Sequence, residues 1–97
     1  MASKFTFMLT FRPPRPDFWD TLTEAEKALV EQHFFYILGL HEQGKVQFAG
    51  RSDDAKFGLA IVEVDSETEA QQIVDQSPAV IAGMYSGEVR RYRLPGA

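Results

Sequence analysis

Apolar and polar positions alternate from the first residues of the chain. Phe5, Phe7, Leu9 and Phe11 fall on one side of an extended segment, with Thr6, Met8 and Thr10 on the other. That period of two predicts a strand with an aromatic face. The strand stops at Arg12-Pro13-Pro14-Arg15-Pro16, because proline cannot donate to a ladder and restricts the residue before it. Asp17 to Leu22 then reads as a loop carrying the only tryptophan, Trp19, beside Phe18, an apolar pair suited to covering a core edge or walling a ligand. From Thr23 the period changes to that of a helix. Thr23 and Glu26 have the spacing of a capping box, Leu22 stands as the staple residue, and Gly44 is the expected stop. One face of this helix collects Leu29, Val30, His33, Tyr36, Ile37 and Leu40, so His33 occupies the middle of the apolar stripe, where a leucine would be expected. Phe34 lies at the edge of the stripe. Phe35 and Leu38 fall on the far side among Lys27, Glu31 and Glu42, which suggests a partner surface.

The second half of the chain holds the remaining strands and a second helix. Lys45 to Gly50 predicts a short strand with Val46 and Phe48 on one side, followed by a polar connection from Arg51 to Lys56. Phe57 to Val64 is apolar on both faces, the mark of a central strand. Ser66 and Glu69 repeat the capping-box spacing and open a short helix with Ala70, Ile73 and Val74 inward. Ser77-Pro78 ends it, Ala79 to Gly83 makes a brief apolar turn, and Met84 to Leu94 is the last strand. The order β-α-β-β-α-β over one domain, residues 1–97, predicts an α+β ferredoxin-like fold: a four-stranded antiparallel sheet with two helices on one face. The strands offer apolar residues to both faces, Phe5, Phe7, Leu9 and Phe11 against Met8, and Leu59 and Ile61 against Ala60, Val62 and Val64, and an apolar sheet face left bare needs a cover. A second copy packed sheet to sheet, a homodimer, is the expected one.

Composition narrows the function more than the fold. A net charge of −4 and a pI near 5.0 supply no basic face for nucleic acid. Arg90, Arg91 and Arg93 cluster near the end, but a strand points neighbouring side chains to opposite faces. The absence of cysteine removes disulfides, thiol nucleophiles and thiolate metal sites. No run of about 18 apolar residues predicts a membrane span, and the N-terminus alternates instead of forming a signal peptide, so a cytoplasmic protein is expected. His41 follows His33 by eight residues, about 12 Å along a helix, too far to share a metal ion. Phosphate-cradling glycine loops, nucleophile elbows and paired-histidine zinc motifs are absent. No metal and no cofactor is expected.

Several short pieces, in order and spacing, resemble the YCII-related family of small dimeric α+β barrels. They are FRPP at residues 11–14, TEAE at 23–26 followed by His33, Ala49-Gly50, Asp54 shortly before Phe57-Gly58, and PAVIAG at 78–83. The resemblance implies a ferredoxin-like dimer in which the helix histidine and a nearby aspartate line a cleft. The family includes a dehydrochlorinase acting on a hydroquinone, and muconolactone isomerases and small monooxygenases share the architecture. One departure is plain: the family commonly has Asp-Pro where this chain has Ser77-Pro78, with Asp75 two residues earlier. A serine can orient an imidazole but cannot stabilise an imidazolium as a carboxylate does.

The expected site follows from these two lines together. His33 is the candidate general acid/base, with Asp54 as its catalytic partner or Ser77 orienting the ring. Arg12, at the mouth of the first strand, would fork onto the anionic group of a small ligand. Phe11, Trp19 and Phe34 would wall the cleft. The plainer alternative makes His33 a hydrogen-bonded core histidine and Arg12 a surface ion-pair donor. The leading expectation is a cofactor-free isomerase or lyase for a small acidic or phenolic compound. A non-catalytic small-molecule-binding or assembly module is the rival, and a cofactor-free monooxygenase the weaker third.

Overall fold

A computed structural model of the chain describes residues 4–95. The aromatic alternation becomes β1 (Phe5–Arg12), and the later apolar runs become β2 (Val46–Arg51), β3 (Gly58–Val64) and β4 (Ser86–Tyr92). All pairings are antiparallel, and the order β2-β3-β1-β4 places the two most apolar strands in the middle. The helices are α1 (Glu24–Glu42), α2 (Glu67–Asp75) and the single turn α3 (Pro78–Ile81). This is the βαββαβ arrangement of a ferredoxin-like α+β fold.

Cross-strand register sorts the two faces. Phe7 stands opposite Val62 and Leu9 opposite Ala60, and all four are buried beneath the helices. Val64 and Phe11 extend this layer, which Ala70, Ile73 and Val74 of α2 close from above. The close approach of α2 depends on Gly87 of β4, because a Cβ there would collide with Val74. The opposite face presents Thr6, Met8 and Thr10 of β1 against Glu63, Ile61 and Leu59 of β3, and no helix among the described residues packs on it.

The helix signals act as expected. Thr23 Oγ1 accepts from the Glu26 amide, the Glu26 carboxylate accepts from the Thr23 amide, and Gly44 takes the left-handed conformation at φ 81° just beyond α1. Ser66 caps α2 through the Glu69 amide. The Glu69 side chain, however, accepts from the amide of Asp65, one residue before the cap, so only half of the second box forms.

Two local expectations are corrected. Val46 and Phe48 do not share a face, because a β-bulge lies between them: Val46 pairs with Val62 and Phe48 with Ile61. Val46 is buried and Phe48 is 59% exposed. Arg51 is not part of the connecting loop; it pairs with Gly58 and ends β2.

The long helix is also less buried than its stripe suggests. Of the stripe only Ile37 is buried, while Leu29, Val30, His33, Tyr36 and Leu40 are half-buried. α1 packs on β2 and α3, and α2 takes β1, β3 and β4. The space between the stripe and the β2–β3 edge is left open.

Candidate functional site

That opening is a cavity of about 700 Å³, within the usual range for small-molecule sites. Phe11, Trp19, Val30, Phe34, Ile37, Val46 and Ala60 give it largely apolar walls. His33 stands among them, its ring edge-on to Phe11 at 4.6 Å and to Tyr85 at 5.2 Å between centroids. Its Nδ1 lies 2.8 Å from Ser77 Oγ. Ser77 is fully buried where α2 gives way to α3, and its hydroxyl reaches across from that corner of the fold. Burial lowers the His33 pKa from the ordinary 6.5 to about 4, because the charged ring would lose hydration with no carboxylate beside it. The imidazole is therefore neutral at physiological pH. Its Nε2 makes no hydrogen bond to the described residues, and no buried polar side-chain atom among them lacks a partner. Nε2 is thus accessible, on the ring edge away from Ser77.

At the mouth of the cavity Arg51 lays its guanidinium 4.2 Å from the centroid of the Trp19 ring. It makes no ion pair within the described residues, where the salt bridges involve Lys4, Arg12, Arg15, Lys27, Lys45 and Arg90. Arg51 is also near enough to Tyr85 to act on it. Burial pushes the Tyr85 phenol up, and the Arg51 charge opposes that shift. His41 joins the lining farther along α1, where its Nδ1–H donates to the Val46 carbonyl at 2.7 Å. Among the described residues there is no group of three or more His, Cys, Asp or Glu that could hold a metal ion.

The structure brings together part of the expected constellation. His33, Ser77, Phe11, Trp19 and Phe34 meet at the cavity or directly behind it. Asp75 does not replace Ser77: it is exposed and accepts from Gln71 Nε2 at 3.0 Å. Arg12 does not reach the cavity. The alternation that sends Phe11 toward the helices sends Arg12 to the open face, where its Nε donates to Glu88 at 3.2 Å. Asp54 does not reach it either. Its carboxylate accepts from Ser52 Oγ at 2.8 Å and from the Lys56 amide at 3.1 Å, closing its own turn around Ala55, which sits at φ 61°. Those bonds also hold its pKa below the usual carboxylate range.

Arg51 and Tyr85 are the residues that periodicity alone passes over. The nearest sequence signal for Arg51 is its position directly after Gly50 in a strand whose bulge cannot be counted from the sequence. Tyr85 has none beyond an aromatic placed at the start of a predicted strand.

Comparison with known proteins agrees with this fold. The YCII-related domain matches residues 6–93. Among solved structures the chain is similar to the 5-chloro-2-hydroxyhydroquinone dehydrochlorinase of Burkholderia phenoliruptrix AC1100 in complex with 2,5-dihydroxybenzoquinone, at a TM-score of 0.65 and 23% identity. The similarity covers 90% of this chain and 93% of that one, and at this identity it speaks for the fold. No curated protein matches the chain. With the family domain spanning β1 through the end of β4, the chain belongs to the YCII-related family.

Proposed function

We propose that the cavity between α1 and the β2–β3 edge is the working site of a small-molecule protein, with cofactor-free acid/base chemistry of the lyase or isomerase type on a small, ring-bearing anion. The observation that carries this reading is the neutral His33, which turns a ring nitrogen without a partner among the described residues into an apolar cavity, with a cation at its mouth that makes no ion pair among them. Flat aromatic walls and one cation select for a planar ligand with one acidic group. Arg51, not Arg12, holds that group, as the cation already at the mouth. His33 addresses the reacting atom from within, and Ser77 fixes the ring from behind. Asp54 has no part in this arrangement. The similarity to a dehydrochlorinase with a bound dihydroxybenzoquinone supports a ligand of this shape.

The open sheet face completes the picture. Met8, Leu59, Ile61, Phe48 and Tyr92 share it by register, and its expected cover is a second copy of the chain, giving a homodimer. One observation favours a second reading. No carboxylate backs His33, so the same cavity serves equally as a ligand-binding site without turnover.

Calorimetric titration with 2,5-dihydroxybenzoquinone tests the common ground of both readings. Binding is expected for the unaltered protein, with at least tenfold weakening by Arg51→Ala and none by Arg12→Ala. Equal effects of the two substitutions would refute the placement of the anion. Consumption of the ligand, followed by its absorbance, then separates an enzyme from a binding module.

A further inference from the structure

Ser77 has a second feature beyond its position. It is the N-cap residue of α3, where a serine ordinarily spends its hydroxyl on a helix amide. Here the side chain makes no such bond, and the Val80 and Ile81 amides are taken by the Ser77 carbonyl, at 3.0 and 2.9 Å. The hydroxyl is fully buried, and its one hydrogen-bond partner among the described residues is His33 Nδ1. A buried hydroxyl has one proton to give and must find an acceptor for it. Among the described residues only the Nδ1 lone pair lies within hydrogen-bond reach.

We infer that Ser77 locks His33 in the tautomer that carries its proton on Nε2, so the cavity is presented with a neutral N–H donor and not with a base. The inference deepens the proposed function and rests on the cavity being the working site. With Ser77 O–H donating to Nδ1, the single proton of the neutral ring must sit on Nε2, the nitrogen without a protein partner. The reverse tautomer would turn Nδ1–H onto Ser77 Oγ and strand the hydroxyl proton in the interior, a loss on the order of tenfold in the ratio of the two forms. A carboxylate behind the ring would do the opposite, because it only accepts. It would hold the proton on Nδ1 and leave Nε2 bare.

The consequence is a sharper ligand class. The site takes ligands that offer an oxygen lone pair, a carbonyl or a phenolate, to Nε2, with the anionic group toward Arg51. His33 then polarises that oxygen through a donated hydrogen bond, and the proton remains on Nε2. His33 thus acts as a hydrogen-bond donor that stabilises negative charge on that oxygen and transfers no proton itself. Ser77 is a positioning residue that acts through it.

The experiment needs no ligand, so its outcome is independent of whether the cavity binds anything. Imidazole nitrogens of the ¹⁵N-labelled protein are read by NMR near neutral pH, in the unaltered chain and in Ser77→Ala and Ser77→Asp. The unaltered chain should show an unprotonated Nδ1 shifted by an accepted hydrogen bond and a protonated Nε2. In Ser77→Ala the Nδ1 resonance should move to that of a free acceptor, and Ser77→Thr should restore it. Ser77→Asp should transfer the proton to Nδ1. A proton on Nδ1 in the unaltered chain, or an Nδ1 resonance unmoved by Ser77→Ala, would overturn the inference whatever becomes of the aspartate variant.

Discussion

Burial holds the His33 pKa at about 4 against an ordinary 6.5, and this gap makes the residue a source of pH-dependent stability. Above pH 6.5 the ring is neutral in both folded and unfolded chains. As the pH falls toward 4 the unfolded chain takes up a proton that the folded chain refuses, so stability falls with pH. The loss comes to about 2 kcal/mol by pH 5 and about 3 kcal/mol by pH 4. Urea unfolding at pH 7 and pH 5 should show that decrement in the unaltered protein and little of it in His33→Leu. An equal decrement in both would mean that His33 is not buried as described. Glu26 separates from this effect, since its carboxylate is held at about 2 by the Arg15 guanidinium and its stabilising contribution disappears only at lower pH, below about 4.5. At this scale the sequence showed His33 clearly, as a polar residue centred in an apolar stripe. It misplaced the cation, because Arg12 and Arg51 look alike until strand register assigns Arg12 to the open face and Arg51 to the end of β2.

At the level of elements the local signals were legible wherever they are self-contained. The capping box at Thr23 and Glu26 and the left-handed Gly44 need nothing beyond a few neighbouring residues, and both stand where their spacing puts them. Thr23→Ala should cost about 1 kcal/mol in unfolding free energy, the usual worth of an N-cap. The bulge in β2 was not legible. An extra residue in one strand is a property of the pair, and nothing in Lys45 to Gly50 announces it. The same holds for Gly87, whose lack of a side chain matters only because Val74 of α2 sits on top of it. Gly87→Ala should destabilise the fold by about 1–3 kcal/mol through overpacking, and Val74→Ala in the same chain should recover part of that loss. Additive costs in the double variant would contradict the contact.

For the whole molecule, the two-layer plan was readable because four strand-length apolar segments and periodicity in two helices agree with one another. What could not be read was the gap. An apolar stripe predicts that α1 is buried but not how closely it is seated, and here the stripe faces a cavity for much of its length. The open sheet face makes a separate prediction. Gel filtration at micromolar concentration should give twice the 11.0 kDa of one chain, and Ile61→Glu should give the single-chain mass with its circular dichroism unchanged. A single-chain mass for the unaltered protein would refute the sheet-to-sheet assembly.

His33 is proposed to offer its Nε2 to a small anionic ring within this cavity. The most direct test of this placement is the His33 Nε2 resonance, followed by NMR as para-hydroxybenzoate is added. A saturable shift of that resonance is expected, much weaker in Arg51→Ala at the same ligand concentrations. A His33 signal that stays in place while the protein remains folded would contradict the placement.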